Sequence, residues 1–303
     1  MELWIPITVL AALFQCVRTA MQQKLRALLN INGANFVRYF YGAPLSLAAL
    51  AFLVWGAGYQ VPELTPRFLL FVTLGGVAQI VATGLLIAAF NLRNFAVGTV
   101  YSKTEIIQLA IFQLVILGEH LSWAAWIGVW ICLAGVAVLS LRGSISGVRD
   151  VLADLTHRAA LIGIASGTVF AVAAVSIRVA ALALPGDADL WLIKGITTLA
   201  VMNTIQTVLM GSWLLWRDRE QIGKVVKYWR SSVVVGVLSV MGSAGWALAM
   251  TLHNAAIVRS LGQIELIFTF IASRWLLHER PKLGEYLGSA LVAAGVILVL
   301  TGK

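Results

Sequence analysis

Long apolar runs separated by short polar connections dominate the chain. Ten of these runs approach or exceed the roughly 20 residues that a helix needs to cross the hydrocarbon core of a bilayer. In chain order they are Leu3–Leu25, Ala34–Trp55, Phe68–Phe90, Phe95–Leu117, Trp123–Leu141, Ala159–Leu184, Leu190–Leu215, Ser231–Leu252, Ala256–Leu277 and Leu283–Leu300. The pattern predicts an all-α integral membrane protein with ten transmembrane helices, which we number as spans 1 to 10.

Composition supports a membrane protein and argues against a soluble enzyme. Of the 303 residues, 60% are hydrophobic and only 12% are charged, whereas a soluble domain carries roughly 25% charged residues. The four histidines are scattered without metal-ligand spacing, and no catalytic motif is present. The sequence therefore predicts a protein that is not an enzyme and that uses neither a metal nor a cofactor.

The basic residues are distributed unevenly between the two sides of the predicted membrane. The net charge is +9, and nearly all of the connecting Lys and Arg residues lie in the odd-numbered connections. Because such residues are retained on the cytoplasmic side, we expect both termini to lie outside, in a multi-pass protein of the cell inner membrane. No basic face is large enough to suggest nucleic-acid binding.

Several positions near span ends are expected to lie at the membrane surface. The connection from Arg217 to Arg230 is charged and is predicted to be solvated. Lys194, Arg259 and Arg38 lie close enough to span ends to extend toward the interface. Seven tryptophans near span ends are interpreted as an interfacial belt, namely Trp4, Trp55, Trp123, Trp191, Trp213, Trp216 and Trp229.

The chain repeats itself at an offset of 160 residues. The identical pairs are Arg18/Arg178, Gly76/Gly236, Asn94/Asn254, Ala96/Ala256, Glu105/Glu265, Glu119/Glu279, Gly128/Gly288 and Gly135/Gly295. Matches of Leu or Val would be expected by chance in apolar text, but recurring Glu, Arg and Asn residues at one offset are not. The sequence therefore predicts two related halves, residues 1–142 and 159–303, joined by a cytoplasmic connection at 143–158.

Each half contains five spans, which is an odd number, so the second half must enter the membrane from the opposite side. This arrangement is an inverted repeat, which transporters use to expose one site alternately to the two sides of the membrane. An enzyme has no need of such symmetry.

The end of each half resembles the EamA repeat of the drug/metabolite transporter superfamily. The residues that carry the resemblance are Leu117-Gly118-Glu119 with Gly128 and Ala134-Gly135-Val136, and Leu277-His278-Glu279 with Gly288 and Ala294-Gly295-Val296. The resemblance implies a ten-helix fold in which spans 1–4 and 6–9 surround a central cavity and spans 5 and 10 lie at the periphery. It also implies substrates such as amino acids, other small metabolites, nucleotide sugars or toxic compounds.

Charged residues inside the predicted spans are candidates for a substrate site, since each costs roughly 2.5–3.5 kcal/mol at mid-membrane. Arg18, Glu105, Arg178 and Glu265 form two symmetric sets of opposite charge. Gln15 shares a helical face with Arg18, and Tyr101 and Gln108 share one with Glu105; Gln263 and Trp246 complete the candidate substrate-binding set. Glu105 and Glu265 are also candidates for carrying a coupling proton. The alternative for the charged pairs is that they only fasten helices together.

We therefore expect a secondary transporter that moves a small polar or zwitterionic metabolite, most plausibly amino-acid-like, across the lipid bilayer by alternating access. The alternatives are a lipid or lysolipid flippase or scramblase of the same fold, a membrane-embedded enzyme, and an assembly subunit that does not transport. The sequence leaves the substrate, the direction of transport, the coupling ion and the formation of a homodimer open.

Overall fold

The computed structural model describes residues 2–92, 102, 105–118, 122–140, 158–265, 267–268 and 283–301. These residues form twelve α-helices and contain no strand. The helices are α1 (Trp4–Leu25), α2 (Ile31–Phe40), α3 (Gly42–Ala51), α4 (Pro66–Leu92), α5 (Glu105–Leu117), α6 (Trp123–Ser140), α7 (Arg158–Ala183), α8 (Trp191–Arg217), α9 (Arg219–Lys227), α10 (Trp229–Leu252), α11 (Ala255–Leu261) and α12 (Leu283–Thr301). An all-helical architecture follows from apolar runs that are too long for strands.

Six helical segments in the described part of the chain are long and apolar enough to cross a membrane. They are Trp4–Gln22, Ile31–Gly56, Pro66–Ala89, Leu161–Ala183, Trp191–Arg217 and Trp229–Leu252. Glu105–Ile116 and Trp123–Gly135 are shorter apolar helices. The first residues predicted for span 4, from Phe95 to Thr104, fall almost entirely outside the described residues.

Span 2 forms one helical segment, Ile31–Gly56, with a local irregularity at Tyr41, whose backbone keeps right-handed helical angles. The irregularity separates α2 from α3, and the segment ends in a π-helical turn at Phe52–Gly56. It coincides with a close approach of α10, because a Cβ added at Gly236 would collide with the Cβ of Tyr41. Pro44, three residues after Tyr41, has no N–H to donate to Phe40 O, so a proline in the sequence also accounts for the irregularity here.

Span 9 also differs from its predicted continuous form. Helix α11 ends at Leu261, and a turn at Gly262 and Gln263 precedes a further helical residue pair at Ile264 and Glu265. The backbone N–H of Gln263 donates to Ser260 O at 3.1 Å, and the backbone N–H of Glu265 donates to Gly262 O at 3.0 Å. The helical path of the predicted span 9 is thus interrupted beside two polar side chains.

The chain divides into two compact units. Unit 1 comprises Met1–Ile80 and Ala173–His253, and unit 2 comprises Val81–Val172 and Asn254–Lys303. Each unit therefore contains segments from both predicted halves.

In unit 1, α1 and α10 pack as antiparallel neighbours. Trp4, at the start of α1, stacks on His253, just after the end of α10, with ring centroids 4.6 Å apart. Farther along α1, a Cβ at Gly245 would lie 2.7 Å from the Cβ of Ala11. A Cβ at Gly242 would lie 3.5 Å from the backbone nitrogen of Gln15. Glycines on α10 therefore allow close contact between these two helices.

The charged connection from Arg217 to Arg230, which the sequence predicts to be solvated, is solvated on one side only. It contains α9, whose Gln221 and Val225 are buried against the rest of unit 1 while the intervening charged residues are exposed or half-buried. Gln221 Oε1 accepts from the backbone amide of Asn30 at 3.0 Å, and Tyr41 donates its hydroxyl to Val225 O at 3.2 Å. The segment is therefore charged on its outer surface but docked on its inner one.

In unit 2, α6 and α12 cross backbone to backbone. A Cβ at Gly135 would lie 2.8 Å from Gly288 O, and one at Gly295 would lie 2.7 Å from Gly128 O. Moving forward along α6 from 128 to 135 thus corresponds to moving backward along α12 from 295 to 288, so the helices run antiparallel. Gly288 and Gly295 are the counterparts of Gly128 and Gly135 at the 160-residue offset. The contact of Gly135 with Gly288 and that of Gly295 with Gly128 are therefore equivalent.

Candidate functional site

The Glu105 carboxylate and the Arg259 guanidinium meet inside unit 2. Glu105 is the first residue of α5, and Arg259 is the fifth residue of α11. Helix α11 begins where it does because the side chain of Asn254 accepts from the amides of Ala256 and Ile257, at 2.9 and 3.3 Å, which caps the free end. Arg259 Nη1 then lies 3.7 Å from Glu105 Oε1.

Both members of this pair are withdrawn from solvent. The side chain of Arg259 is 11% exposed and that of Glu105 is 7% exposed, and the neighbouring residues Ile106, Val129 and Ile257 are apolar. At this separation, opposite unit charges attract by roughly 4 kcal/mol at the effective dielectric constant that suits protein sites. The expectation that Arg259 extends toward the membrane surface is therefore wrong, because its head group is buried beside a carboxylate.

Two further candidate residues flank the interruption after α11. Gln263 is 2% exposed and donates through Nε2 to Arg259 O at 3.1 Å, while its Oε1 receives no hydrogen bond from a described residue. Glu265 is half-buried two residues farther on. On α5, Gln108 is half-buried and follows Glu105 at the i+3 position. Tyr101 lies outside the described residues.

Gln15 and Trp246, both predicted to contact substrate, are brought together in unit 1. Trp246 donates from Nε1 to Gln15 Oε1 at 2.8 Å, and Trp246 is only 7% exposed. Arg18, one turn along α1, is 9% exposed and donates to Thr19 Oγ1 at 3.5 Å. The polar face predicted for span 1 is therefore directed into the unit.

Arg178 binds the end of a helix. Its Nη1 donates to Met250 O at 2.6 Å and to His253 O at 2.5 Å, which are carbonyls at the carboxyl end of α10. These carbonyls lack partners within the helix and carry its negative dipole end, so a guanidinium is well suited to them. The contact supports the alternative that this arginine fastens helices together.

Three residues that were expected to lie at the membrane surface are buried by protein. Trp4, assigned to the interfacial belt, is 4% exposed and stacks on His253. Arg38 is 4% exposed. Lys194 is 8% exposed, and its Nζ donates to Gly186 O at 2.6 Å. Trp4 and Arg38 are therefore covered by protein, whereas the Lys194 ammonium does extend toward the end of its span, where it binds a backbone carbonyl of the preceding connection.

Arg259 was not among the predicted site residues. The start of its helix carried no signal, because the predicted span 9 begins at Ala256, one residue from the observed start of α11. The 160-residue repeat carried none either, because Arg259 falls on Thr99.

Comparison with known proteins agrees with the resemblance of each half of the chain to the EamA repeat. The sequence profile of the EamA-like transporter family matches residues 2–141 and again residues 157–301. Comparison with curated proteins gives no match. One solved crystal structure, of a protein that carries no further description, is 15% identical, with a TM-score of 0.73, over 99% of this chain and 97% of that one. At that identity, the likeness shows the fold alone.

The family profile covers nearly the whole chain in two consecutive matches, and the apolar helices described above are those of a membrane protein. The chain therefore belongs to the EamA-like transporter family, whose members are membrane transporters of the drug/metabolite type.

Proposed function

We propose that the protein is a secondary active transporter of a small zwitterionic metabolite, most plausibly amino-acid-like, and that it works by alternating access. The observation that carries the proposal is the buried Glu105–Arg259 pair beside the interrupted span 9. Charged groups inside a membrane segment are costly and mark transport pathways, and interrupted helices form substrate sites in many transporters.

The pair offers one group for each end of a zwitterion. Arg259 presents donors that suit a carboxylate, and Glu105 presents acceptors that suit an ammonium group. Their 3.7 Å separation exceeds the 2.7–2.9 Å of a short charge-assisted hydrogen bond. A substrate can therefore replace one long contact by two shorter ones without leaving either charge unpaired.

Polar groups nearby can complete such a site. Gln263 Oε1 is a buried acceptor that receives no hydrogen bond from a described residue, and Glu265 and Gln108 lie on the same two spans as the pair. In this proposal, Glu105 and Glu265 are the coupling candidates, since carboxylates inside membrane segments mark ion and proton pathways.

Alternating access is supported by the antiparallel crossing of α6 and α12. Residues related by the 160-residue offset contact each other reciprocally at this crossing, as expected for two halves inserted in opposite senses. Exchange of conformation between such halves would expose the site first to one side of the membrane and then to the other. No observation favours a lipid substrate, because the charged pair is enclosed by protein side chains.

The proposal is tested by ligand analogues matched to variants. Binding of an amino acid, its amide and its deaminated acid to the purified chain would be measured by calorimetry for the wild type, Glu105→Gln and Arg259→Gln. Arg259→Gln should weaken binding of the amino acid at least tenfold, about 1.4 kcal/mol, and leave binding of its amide unchanged. Glu105→Gln should weaken binding of the amino acid and leave binding of its deaminated acid unchanged.

Arg158→Gln, which removes an exposed cation at the start of α7, is the matched control and should leave all three affinities unchanged. Equal weakening of every ligand in both site variants would refute recognition by this pair. Proton coupling has a separate measurement: uptake into proteoliposomes should lose its pH dependence in Glu105→Gln or Glu265→Gln.

A further inference from the structure

The segment from Trp216 to Arg230, which contains α9, carries an excess of positive charge. Its cations are Arg217, Arg219, Lys224, Lys227 and Arg230, and its acids are Asp218 and Glu220. The segment joins α8, which ends at Arg217, to α10, which begins at Trp229. Because both helices are long enough to cross a membrane, the connection between them lies at the height of the membrane surface.

The two acids of this segment are engaged locally. Asp218 Oδ2 accepts from Asn30 Nδ2 at 2.8 Å, and Glu220 Oε1 lies 2.7 Å from Lys224 Nζ. In the described part of the chain, no carboxylate pairs with Arg217, Lys227 or Arg230, whose side chains are all exposed. These three cations remain for an anion from outside the protein.

Large apolar side chains lie among these cations. Trp216 is 80% exposed, Trp229 is 54% exposed and Val226 is 51% exposed. Tryptophan side chains are favoured at the level of lipid headgroups, where one part of the ring contacts acyl chains and the other contacts polar groups. The alternation of cations and exposed tryptophans therefore matches a surface with phosphates above a hydrocarbon layer.

The orientation of α9 is fixed by its inner face. Gln221 and Val225 are buried, and they contact Asn30 and Tyr41 through the hydrogen bonds described above. The helix therefore cannot rotate to bury its cations. A ligand on its outer face would act on the start of α2 and on the irregularity at Tyr41.

We infer that the segment Trp216–Arg230 is a binding surface for the phosphate headgroups of anionic phospholipids, with Arg217, Lys227 and Arg230 as the headgroup ligands. Clusters of basic residues directly beside a membrane helix attract anionic lipids within a Debye length. Bound headgroups hold α9 in place, and α9 in turn holds the start of span 2.

The test compares thermal unfolding of the purified full chain in mild detergent with added phosphatidylglycerol or phosphatidylcholine. We expect phosphatidylglycerol to raise the Tm by several degrees more than phosphatidylcholine does, and 0.5 M NaCl to remove most of that difference. The triple variant R217Q/K227Q/R230Q should lose the difference. The matched control K24Q/R67Q/R158Q removes three exposed cations elsewhere and should keep it.

Three results would overturn the inference. One is an unchanged phosphatidylglycerol effect in R217Q/K227Q/R230Q. Another is loss of the effect in the control variant as well, which would show a response to total charge. The last is an equal Tm shift with soluble glycerol phosphate, which would show a free-anion site instead of a lipid surface. If R217Q/K227Q/R230Q is poorly folded, native mass spectrometry of bound lipid on the single variant K227Q replaces the Tm, and undiminished lipid retention there overturns the inference.

Discussion

Arg259 Nη1 lies 3.7 Å from Glu105 Oε1, and each side chain is almost wholly withdrawn from solvent. The two residues come from different predicted halves of the chain, spans 9 and 4. Their charges compensate each other inside unit 2, so the stability of this unit and the proposed recognition of a zwitterion depend on the same two groups.

This relationship predicts strong energetic coupling. Arg259→Gln or Glu105→Gln alone should lower the free energy of unfolding by about 3–5 kcal/mol, because each breaks a buried ion pair by removing one partner. The double variant should lose much less than the sum of the two, which a double-mutant cycle in detergent would measure. Additive losses would show that the two side chains do not interact energetically.

The glycines at the crossing of α6 and α12 predict a symmetric pair of stability losses. A Cβ at position 135 would lie 2.7 Å from Val292 N, and one at position 295 would lie 2.6 Å from Cys132 N. Because backbone must move to make room, Gly135→Ala and Gly295→Ala should each cost about 1–3 kcal/mol. Denaturation midpoints in mixed detergent would measure both.

Gly84→Ala is the control for these variants, since a Cβ there meets nothing within 4 Å in the middle of α4. It should be neutral or slightly stabilising, because alanine is the better helix former. A loss at position 84 equal to those at 135 and 295 would assign the effect to glycine replacement in general.

The contact between Arg178 and the end of α10 predicts that replacing this arginine lowers stability. A lysine at the same position, which keeps the positive charge, should not fully restore it. Arg178→Gln should cost about 1.5–3 kcal/mol, the range for a hydrogen bond to a charged group. Arg178→Lys should recover only part of it, because one ammonium group reaches Met250 O and His253 O less well than the guanidinium does. Thermal unfolding beside Arg158→Gln would show whether the effect is specific.

The Glu220–Lys224 pair predicts how lipid binding depends on pH. Hydrogen bonding to Lys224, and then its charge, lower the pKa of the Glu220 carboxyl, and the pKa of Lys224 is raised in return. The stabilising pair is therefore present at neutral pH and is lost as pH falls through the lowered pKa of Glu220. Losing it adds one positive charge to the outer surface of α9.

Glu220→Gln should accordingly increase the Tm shift caused by phosphatidylglycerol at neutral pH. The wild type should approach the variant only when the pH falls below the lowered pKa of Glu220. An unchanged lipid effect in Glu220→Gln at every pH would contradict this account, and lipid titrations at two pH values suffice to decide it.

The helical architecture was predictable because membrane spans are encoded by the length of apolar runs. The predicted bounds of spans 1, 3, 5, 6, 7, 8 and 10 agree with the helices to within two residues. The irregularity in span 2 is signalled by Pro44, which the predicted continuous span did not take into account. The interruption of span 9 was not predicted, since an apolar run reports its length and not its continuity. At Tyr41 the irregularity also accompanies the approach of Gly236, a contact that is distant in sequence.

The candidate site was only partly predictable from the repeat. Glu105 and Glu265 stand out because they recur at the 160-residue offset, but Arg259 falls on Thr99 and therefore has no counterpart. A repeat identifies residues that occur in both halves. The ion pair joins Glu105, which has a counterpart in the other half, to Arg259, which has none. The roles of Arg18, Arg178, Glu265, Gln15, Gln108, Gln263, Tyr101 and Trp246 in substrate binding stay predictions.

The glycine contacts between α6 and α12 also constrain how unit 2 can move. Two rods that touch main chain to main chain at both Gly135 and Gly295 cannot slide lengthwise without driving side chains into each other. The contacts at both glycines therefore fix the lengthwise register of α6 against α12.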